Sequence, residues 1–355
     1  MKIAFSGDWH FGSSNNSLWH NQKLIEFTEW MIGECEERGV DTFIHLGDYF
    51  DHRTAVDIRT MNYAIDASKR LKEGFSRYIN LLGNHDLYHK FKLDMASSRA
   101  IEPHVHDLVT SPKVVEMDGK KILLTPWVVD GEMWDDIVNT VNEEGIDFVF
   151  GHFEFKGFRM NQNYVMEHGN SHRELRKASK VITGHYHARQ VNDNVVYAGS
   201  PFGMDFNDAN DTERGFGILD TETSEIEWVN WNRVKIMSLS YDSFMEQKDS
   251  IVGDENVKLR IEFPDDAAEE DIEVAREMLS ELNVHSSKIK YQGSKLKEVM
   301  EGSSDTIVEV DNIDAAVMGH LEAVKYESDD IDAKLLKALY SKAVESSQVN
   351  GEAND

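Results

Sequence analysis

Five short apolar runs in this chain each stop at a glycine and then present a side chain able to bind a metal. They are Phe5-Ser6-Gly7-Asp8-Trp9-His10, Leu46-Gly47-Asp48, Ile79-Asn80-Leu81-Leu82-Gly83-Asn84-His85-Asp86, Phe150-Gly151-His152 and Thr183-Gly184-His185-Tyr186-His187. A short, mostly apolar run predicts a buried strand, and glycine permits backbone angles that other residues resist. Strands that repeatedly end in polar, ligand-type residues use their rim for chemistry rather than packing. The pattern predicts a sheet architecture in which all five ends converge on one metal site.

The intervening sequence supports this reading. After a strand over 2–7, apolar positions Leu24, Phe27, Met31 and Cys35 share one face of a predicted helix over 18–38, which Gly39 would stop. A strand over 42–46, a helix over 57–73 and the strand before Gly83 follow. This alternation predicts an α/β sheet with ligands at the carboxyl ends of its strands. Residues 87–112 read as loop with a little helix. Asp118-Gly119 between 114–117 and 121–125 reads as a hairpin, and a helix is expected over 132–143. Residues 156–178 read as an active-site loop. Segments 195–198, 216–220 and 225–231 read as further strands of an antiparallel set.

The character changes near residue 235. Residues 257–263 alternate as a half-exposed strand, Pro264 ends it, an acidic helix follows over 267–282, and 288–291 alternate again: a small β-α-β module. Gly302-Ser303-Ser304 reads as a linker, and amphipathic helices are expected over 312–325 and 330–345. The predicted division is 1–235, 236–300 and 301–355.

Composition narrows the chemistry. A length of 355 residues with 40% hydrophobic side chains suffices for one large domain and a smaller one. Cys35 is the one cysteine, which excludes an internal disulfide and a four-thiolate zinc site. No membrane span and no signal peptide are expected. The net charge is −28. Tight, unaided binding to nucleic acid rests on Lys and Arg, so a phosphodiester substrate would need metal ions or a basic partner to supply positive charge. Of 15 histidines, 13 precede residue 190, as a metal site in the first domain requires.

Taken singly, each candidate has an ordinary explanation. Asp8 and His10, two apart, would share one side of a strand, yet an Asp-x-His pair is more often surface. Asp48 alone would be a turn aspartate; His152, His185 and His187 alone would be structural histidines. Asn84 is more unusual, since a neutral amide ligates chiefly hard or borderline cations. It is the combination, in this order and each at a strand end, that reverses the balance.

That combination resembles the calcineurin-like metallophosphoesterases. Asp8-Trp9-His10 and Gly47-Asp48-Tyr49-Phe50-Asp51 are similar, within that family, to the nuclease subunits of double-strand-break repair complexes, in their phage recombination exonuclease form. The motifs cover residues 1 to about 200; beyond that only the order of parts matches. The resemblance implies a four-layer α/β/β/α sandwich with a capping domain and C-terminal helices. It implies two divalent ions, Mn2+ first: Asp8, His10, Asp48 and His187 holding one, and Asp48, Asn84, His152 and His185 the other, with Asp48 bridging. It implies that His85 faces the scissile phosphate, and Asp86 is expected to orient His85. Asp51 and His52 compete for one substrate-contact position. His168, with His172, is a candidate for DNA contact or equally a solvated loop histidine, and Trp9 and Tyr186 are expected to pack. The implied activity is 3′-to-5′ DNA exonuclease with single-strand endonuclease activity, in recombination and repair. An SMC-like ABC ATPase would be gripped by the C-terminal helices, and a homodimer in the cytoplasm (the host's, if phage-encoded) is expected. Alternatives are a small-molecule phosphodiesterase, a protein phosphatase and a non-catalytic assembly subunit. Protein phosphatases resemble Gly-Asp-x-Val-Asp-Arg-Gly and Gly-Asn-His-Glu, from which Tyr49 to His52 and Asp86 depart.

Overall fold

A computed structural model describes residues 1–161, 164–264 and 266–291. The expected linker at Gly302 and the helices over 312–325 and 330–345 lie outside the described residues. Among the described residues no helix is long and apolar enough to cross a membrane.

In chain order the first elements are β1 (Lys2–Ser6), α1 (Leu18–Glu37), β2 (Thr42–His45), α2 (Ile58–Gly74), β3 (Arg77–Leu81) and β4 (Asp107–Val109). Then come β5 (Lys113–Met117), β6 (Lys120–Leu124), α3 (Gly131–Glu143), β7 (Phe148–His152), β8 (Arg159–Asn161), β9 (Tyr164–Val165) and β10 (Lys180–Gly184). The remainder are β11 (Gln190–Asn192), β12 (Val195–Tyr197), β13 (Gly215–Asp220), β14 (Ile226–Asn230), β15 (Lys235–Ser240), α4 (Tyr241–Ile251), β16 (Val257–Phe263), α5 (Glu269–Glu281) and β17 (Ser286–Tyr291). By their contacts the described residues divide into two units, Met1–Ser238 with Glu255–Lys258, and Leu239–Asp254 with the described residues from Leu259 to Tyr291.

The first unit holds two six-stranded sheets, ordered β14-β13-β1-β2-β3-β4 and β11-β12-β10-β7-β6-β5. Alternation along each strand decides what packs where. Ala4, Phe43 and Tyr78 turn toward α1 and α2, meeting Phe27, Met31, Ala64 and Leu71. Their neighbours Ile3, Phe5, Ile44 and Ile79 turn the other way and meet Phe148, Phe150 and Ile182 of the second sheet. Val149, Val181 and Val195 then face Trp134, Ile137 and Val141 of α3. The result is the layer order helix, sheet, sheet, helix. Helix starts are capped by side chains: Ser17, Asp57 and Asp130 accept the backbone N–H groups of His20, Arg59 and Met133.

Two local expectations are corrected. Residues 195–198, 216–220 and 225–231 do not form one antiparallel set: β12 runs parallel to β10 in the second sheet, while β13 and β14 pair antiparallel in the first. Period-2 alternation identifies a strand but is silent on its partner. The presumed loop over 156–178 carries the β8–β9 hairpin and a 3-10 turn at His172–Leu175.

In the second unit α4 buries Phe244 and Ile251, and α5 buries Ile272 and Ala275. In its part of β16, Leu259, Ile261 and Phe263 are buried and Arg260 and Glu262 half-buried.

Candidate metal centre

β1, β2 and β3 run parallel, as do β7 and β10, so their carboxyl ends lie together in each sheet. Beyond the strands, the segments after β1 and β2 are zipped by backbone bonds: Asp8 N, His10 N and Phe11 N donate to Gly47 O, Asp48 O and Tyr49 O. Asp8 and His10 therefore do not alternate along a strand, as their spacing suggested. The strand ends at Ser6, and both residues adopt left-handed backbone, with φ of 55° and 49°. Asp48 and His185 do the same, at 53° and 98°. Each such residue costs about 1–2 kcal/mol, a strain typical of functional sites.

The seven expected ligand residues come together. His10 Nε2 lies 3.2 Å from His187 Nε2, and Asp8, His10 and His187 form one potential ligand group. Asn84 Oδ1 lies 3.1 Å from His152 Nε2 and 3.0 Å from His185 Nδ1, and Asp48, His152 and His185 form a second. Asp48 Oδ2 stands between the two, 3.7 Å from His10 Nε2 and 3.3 Å from His152 Nε2. Its Oδ1 is held by His85 N at 2.8 Å. Ring nitrogens and an amide oxygen that face one another repel unless a proton or cation lies among them. Atoms bound at ~2.1 Å to a common ion at near-right angles lie roughly 3 Å apart, so these spacings fit ions.

Glycine serves this packing in two ways. Gly47 takes φ 97°, and a Cβ there would stand 2.7 Å from His152 Nδ1. Gly83 was expected to serve a turn, yet it does not adopt the left-handed region. Its Cβ would collide with Asp48 Oδ1 and Asp48 N, so it is glycine to let the central carboxylate approach.

The expected Asp86–His85 pairing is corrected. Fully buried Asp86 accepts from Tyr49 N (3.1 Å), Phe50 N (3.0 Å), Gly83 N (2.9 Å) and Ser98 Oγ (2.8 Å). Burial and the charge of Asp48 push its carboxyl up against those donors. Asp86 organises backbone because it reaches three main-chain N–H groups at once. His85 is held instead by Asp51: its Nδ1 donates to the Asp51 carbonyl at 2.8 Å. The Asp51 carboxylate lies 3.1 Å from His10 Nδ1. His52, more exposed, has its Nε2 3.8 Å from Asp51 Oδ2. His168 is exposed. His172 is buried against Phe158 and bonded to Asp193 at 3.1 Å, a packing role. Trp9 and Tyr186 are both buried.

Several supporting residues carried no signal in the sequence. Trp127 packs on His152 and His185, with ring centroids 5.9 and 5.1 Å away. Glu154 Oε1 lies 3.6 Å from His185 Nε2. Arg214, 3% exposed, donates to the His187 carbonyl, Ser200, Asp208 and Asp211. Arg214→Met strands two carboxylates and frees the backbone of His187. The expected result is a loss of about 3–5 kcal/mol of stability, a fall of roughly 10 °C in thermal midpoint by calorimetry.

Charge inside the centre is balanced by protons when no ion is there. Burial would lower His10, but the bond to Asp51 and the charges of Asp48, Asp51 and Asp8 raise it from 6.5 to about 9. Burial is likewise outweighed at His152, where Asp48 raises it to about 9. Asp48, which burial alone would raise, is held well below its ordinary value by His152, His85 and His10. Burial lowers His185 and His187, aided by His152 and His10 respectively, leaving both disposed to be neutral ligands. Histidines raised to about 9 contribute stability in full below pH 6.5 and lose it as pH rises through 9. The ion-free protein should therefore lose thermal stability between pH 6.5 and 9. Ion binding should release protons and tighten over the same range. Melting curves against pH with and without Mn2+ check both signs.

The family model for calcineurin-like phosphoesterases matches residues 1–189. Over 240 residues the chain is 31% identical to exonuclease subunit 1 of Enterobacteria phage T4, a match covering 66% of this chain and 70% of that protein. Similar solved structures include a dimetal phosphatase from Danio rerio, at 9% identity over 61% of this chain and 91% of that one, with a TM-score of 0.43. Another is a protein of unknown function from Aquifex aeolicus, at 18% identity over 43% and 80%, with a TM-score of 0.28.

Proposed function

This chain belongs to the calcineurin-like phosphoesterase family, and from that premise we propose that it is a metal-dependent DNA nuclease, a 3′-to-5′ exonuclease with single-strand endonuclease activity. The observation that carries the reading is the position of Asp48 Oδ2 between two sets of ligand atoms, with His85 tied to the same carboxylate through its backbone. Asp8, His10, Asp48 and His187 would hold one ion and Asp48, Asn84, His152 and His185 the other. Mn2+ suits this mixture of carboxylate, amide and imidazole donors. Such ions supply Lewis-acid polarisation of a phosphodiester and neutralise charge as it develops.

The protein's own groups do the positioning. The Asp51 carbonyl accepts a hydrogen bond from His85 Nδ1–H, which leaves Nε2 as the atom to meet substrate. There a protonated ring stabilises negative charge and can deliver a proton to the leaving oxygen. Asp86 holds the Gly83, Tyr49 and Phe50 N–H groups, and so keeps the segments bearing Asn84 and Asp48 in place. The DNA substrate is supported by the similarity to a phage exonuclease subunit, and the word subunit supports a partner. We take that partner to be an SMC-like ABC ATPase, bound through the segment beyond the described residues. The strand polarity, a homodimer and work in recombination and repair inside the cell rest on the family resemblance alone.

The test offers the Mn2+-loaded chain, with and without the ATPase, three substrates: a labelled single strand, a cyclic nucleotide and a phosphopeptide. Cleavage of the strand that chelation abolishes is the expected result. Turnover of only the cyclic nucleotide or the phosphopeptide would count against the nuclease reading.

A further inference from the structure

The loop that follows the His85 motif is built in a way the metal centre does not require. Leu87 and Ala96 close it with an antiparallel bridge. Within it Tyr88 N donates to Met95 O and Lys92 N to His89 O, and the Trp127 indole N–H donates to Lys90 O at 3.2 Å. Leu87 is buried with Leu82 and Trp127, and Leu93 and Ala96 pack against them. The loop is thus anchored at both ends and from below. Yet it exposes Tyr88 by 42%, Phe91 by 56% and Met95 by 51%.

One exposed apolar side chain needs no explanation. Three on one anchored loop, interleaved with cations in a chain of net charge −28, do. Lys90 and Lys92 flank Phe91, against the single acid Asp94. A concavity beside Tyr88 and Met95 is lined by Asp94, by Arg53, which donates to Asn84 O, and by Arg99, which pairs with Glu102. The loop borders the metal centre: the Trp127 indole that donates to Lys90 O also packs on His152 and His185. A protein-docking patch places apolar side chains at its centre and keeps lysine out. Flat aromatic faces alternating with cations are instead what an unpaired nucleic-acid strand requires, since its bases stack while its phosphates are neutralised. A duplex keeps its base faces covered.

We propose that residues 88–95 form a stacking ledge for an unpaired DNA strand, with Tyr88 and Phe91 taking bases and Lys90 and Lys92 taking phosphates. The proposal rests on the nuclease reading and specifies its substrate as single-stranded at the point of entry into the centre.

The test measures binding of a fluorescent oligothymidylate and of a blunt duplex to the full chain. Ca2+ replaces Mn2+ so that binding is read apart from turnover. Tyr88→Ala and Phe91→Ala should each weaken single-strand binding on the order of tenfold, with the salt dependence unchanged. Tyr88→Trp should preserve binding. Lys90→Gln and Lys92→Gln should instead reduce the slope of log K against log salt by roughly 0.7 each. The ledge is overturned if the alanine variants bind as tightly as the unaltered chain, if single strand and duplex lose affinity equally, or if the unaltered chain binds no single strand. Cleavage with Mn2+ separates this from the parent reading. Binding that depends on the two rings but never leads to a cut would leave the ledge standing and count against the nuclease. Unimpaired cutting with both rings removed would do the reverse.

Discussion

Asp48→Asn should reduce DNA cleavage by roughly 10³-fold or more and lower the bound metal below two ions per chain. The size of the effect follows from where each oxygen sits. Oδ1 accepts from His85 N, so an asparagine in this place keeps its carbonyl there and turns its NH2 toward the position of Oδ2. That position is the one shared by the His10 and His152 sides of the centre. A neutral donor then points at the place where both ions need an anion. The side chain keeps its shape and its bond to His85, so the fold should survive and the loss can be assigned to the centre. Metal analysis of the purified variant and single-turnover cleavage of a labelled strand read the two effects together. Full metal occupancy with normal cleavage would remove Asp48 from the bridge.

His85→Ala should behave differently: cleavage falls by about 10²–10⁴-fold, the usual range for a proton-transferring side chain, while two ions stay bound. His85 contributes its ring to the site's rim and its backbone N–H to Asp48, and alanine preserves the second. If metal is lost along with activity, the ring acts by supporting His10, whose centroid lies 4.8 Å away. If neither changes, it does not take part in the chemistry.

Much of this site could be read from residue order because a strand rim is a local device. An apolar run, a glycine and a donor were enough to mark Asp8, Asp48, Asn84, His152 and His185, and the structure brings all of them together. What could not be read depends on contacts between distant segments. The reason for Gly83 is the carboxylate of Asp48, thirty-five positions earlier, rather than its own turn. Asp86 sits beside His85 in the chain, but its carboxylate turns to the backbone after β2. Arg214 belongs to no motif, and only the folded chain puts the His187 carbonyl within its reach. The fold divides along the same line. Short apolar runs at β1, β2 and β7 announced buried strands, but which sheet β12 would join depends on a pairing that no local pattern encodes.

The central claim is that one bridged two-ion centre cleaves a phosphodiester of DNA. It is tested most directly by titrating Mn2+ into the metal-depleted chain while following both bound metal and cleavage of a labelled single strand. The account predicts no cleavage without metal, activity that rises to a plateau at two ions per chain, and spin coupling between the ions once both are present. Cleavage that persists in the metal-depleted chain, or that saturates at one ion, would contradict it.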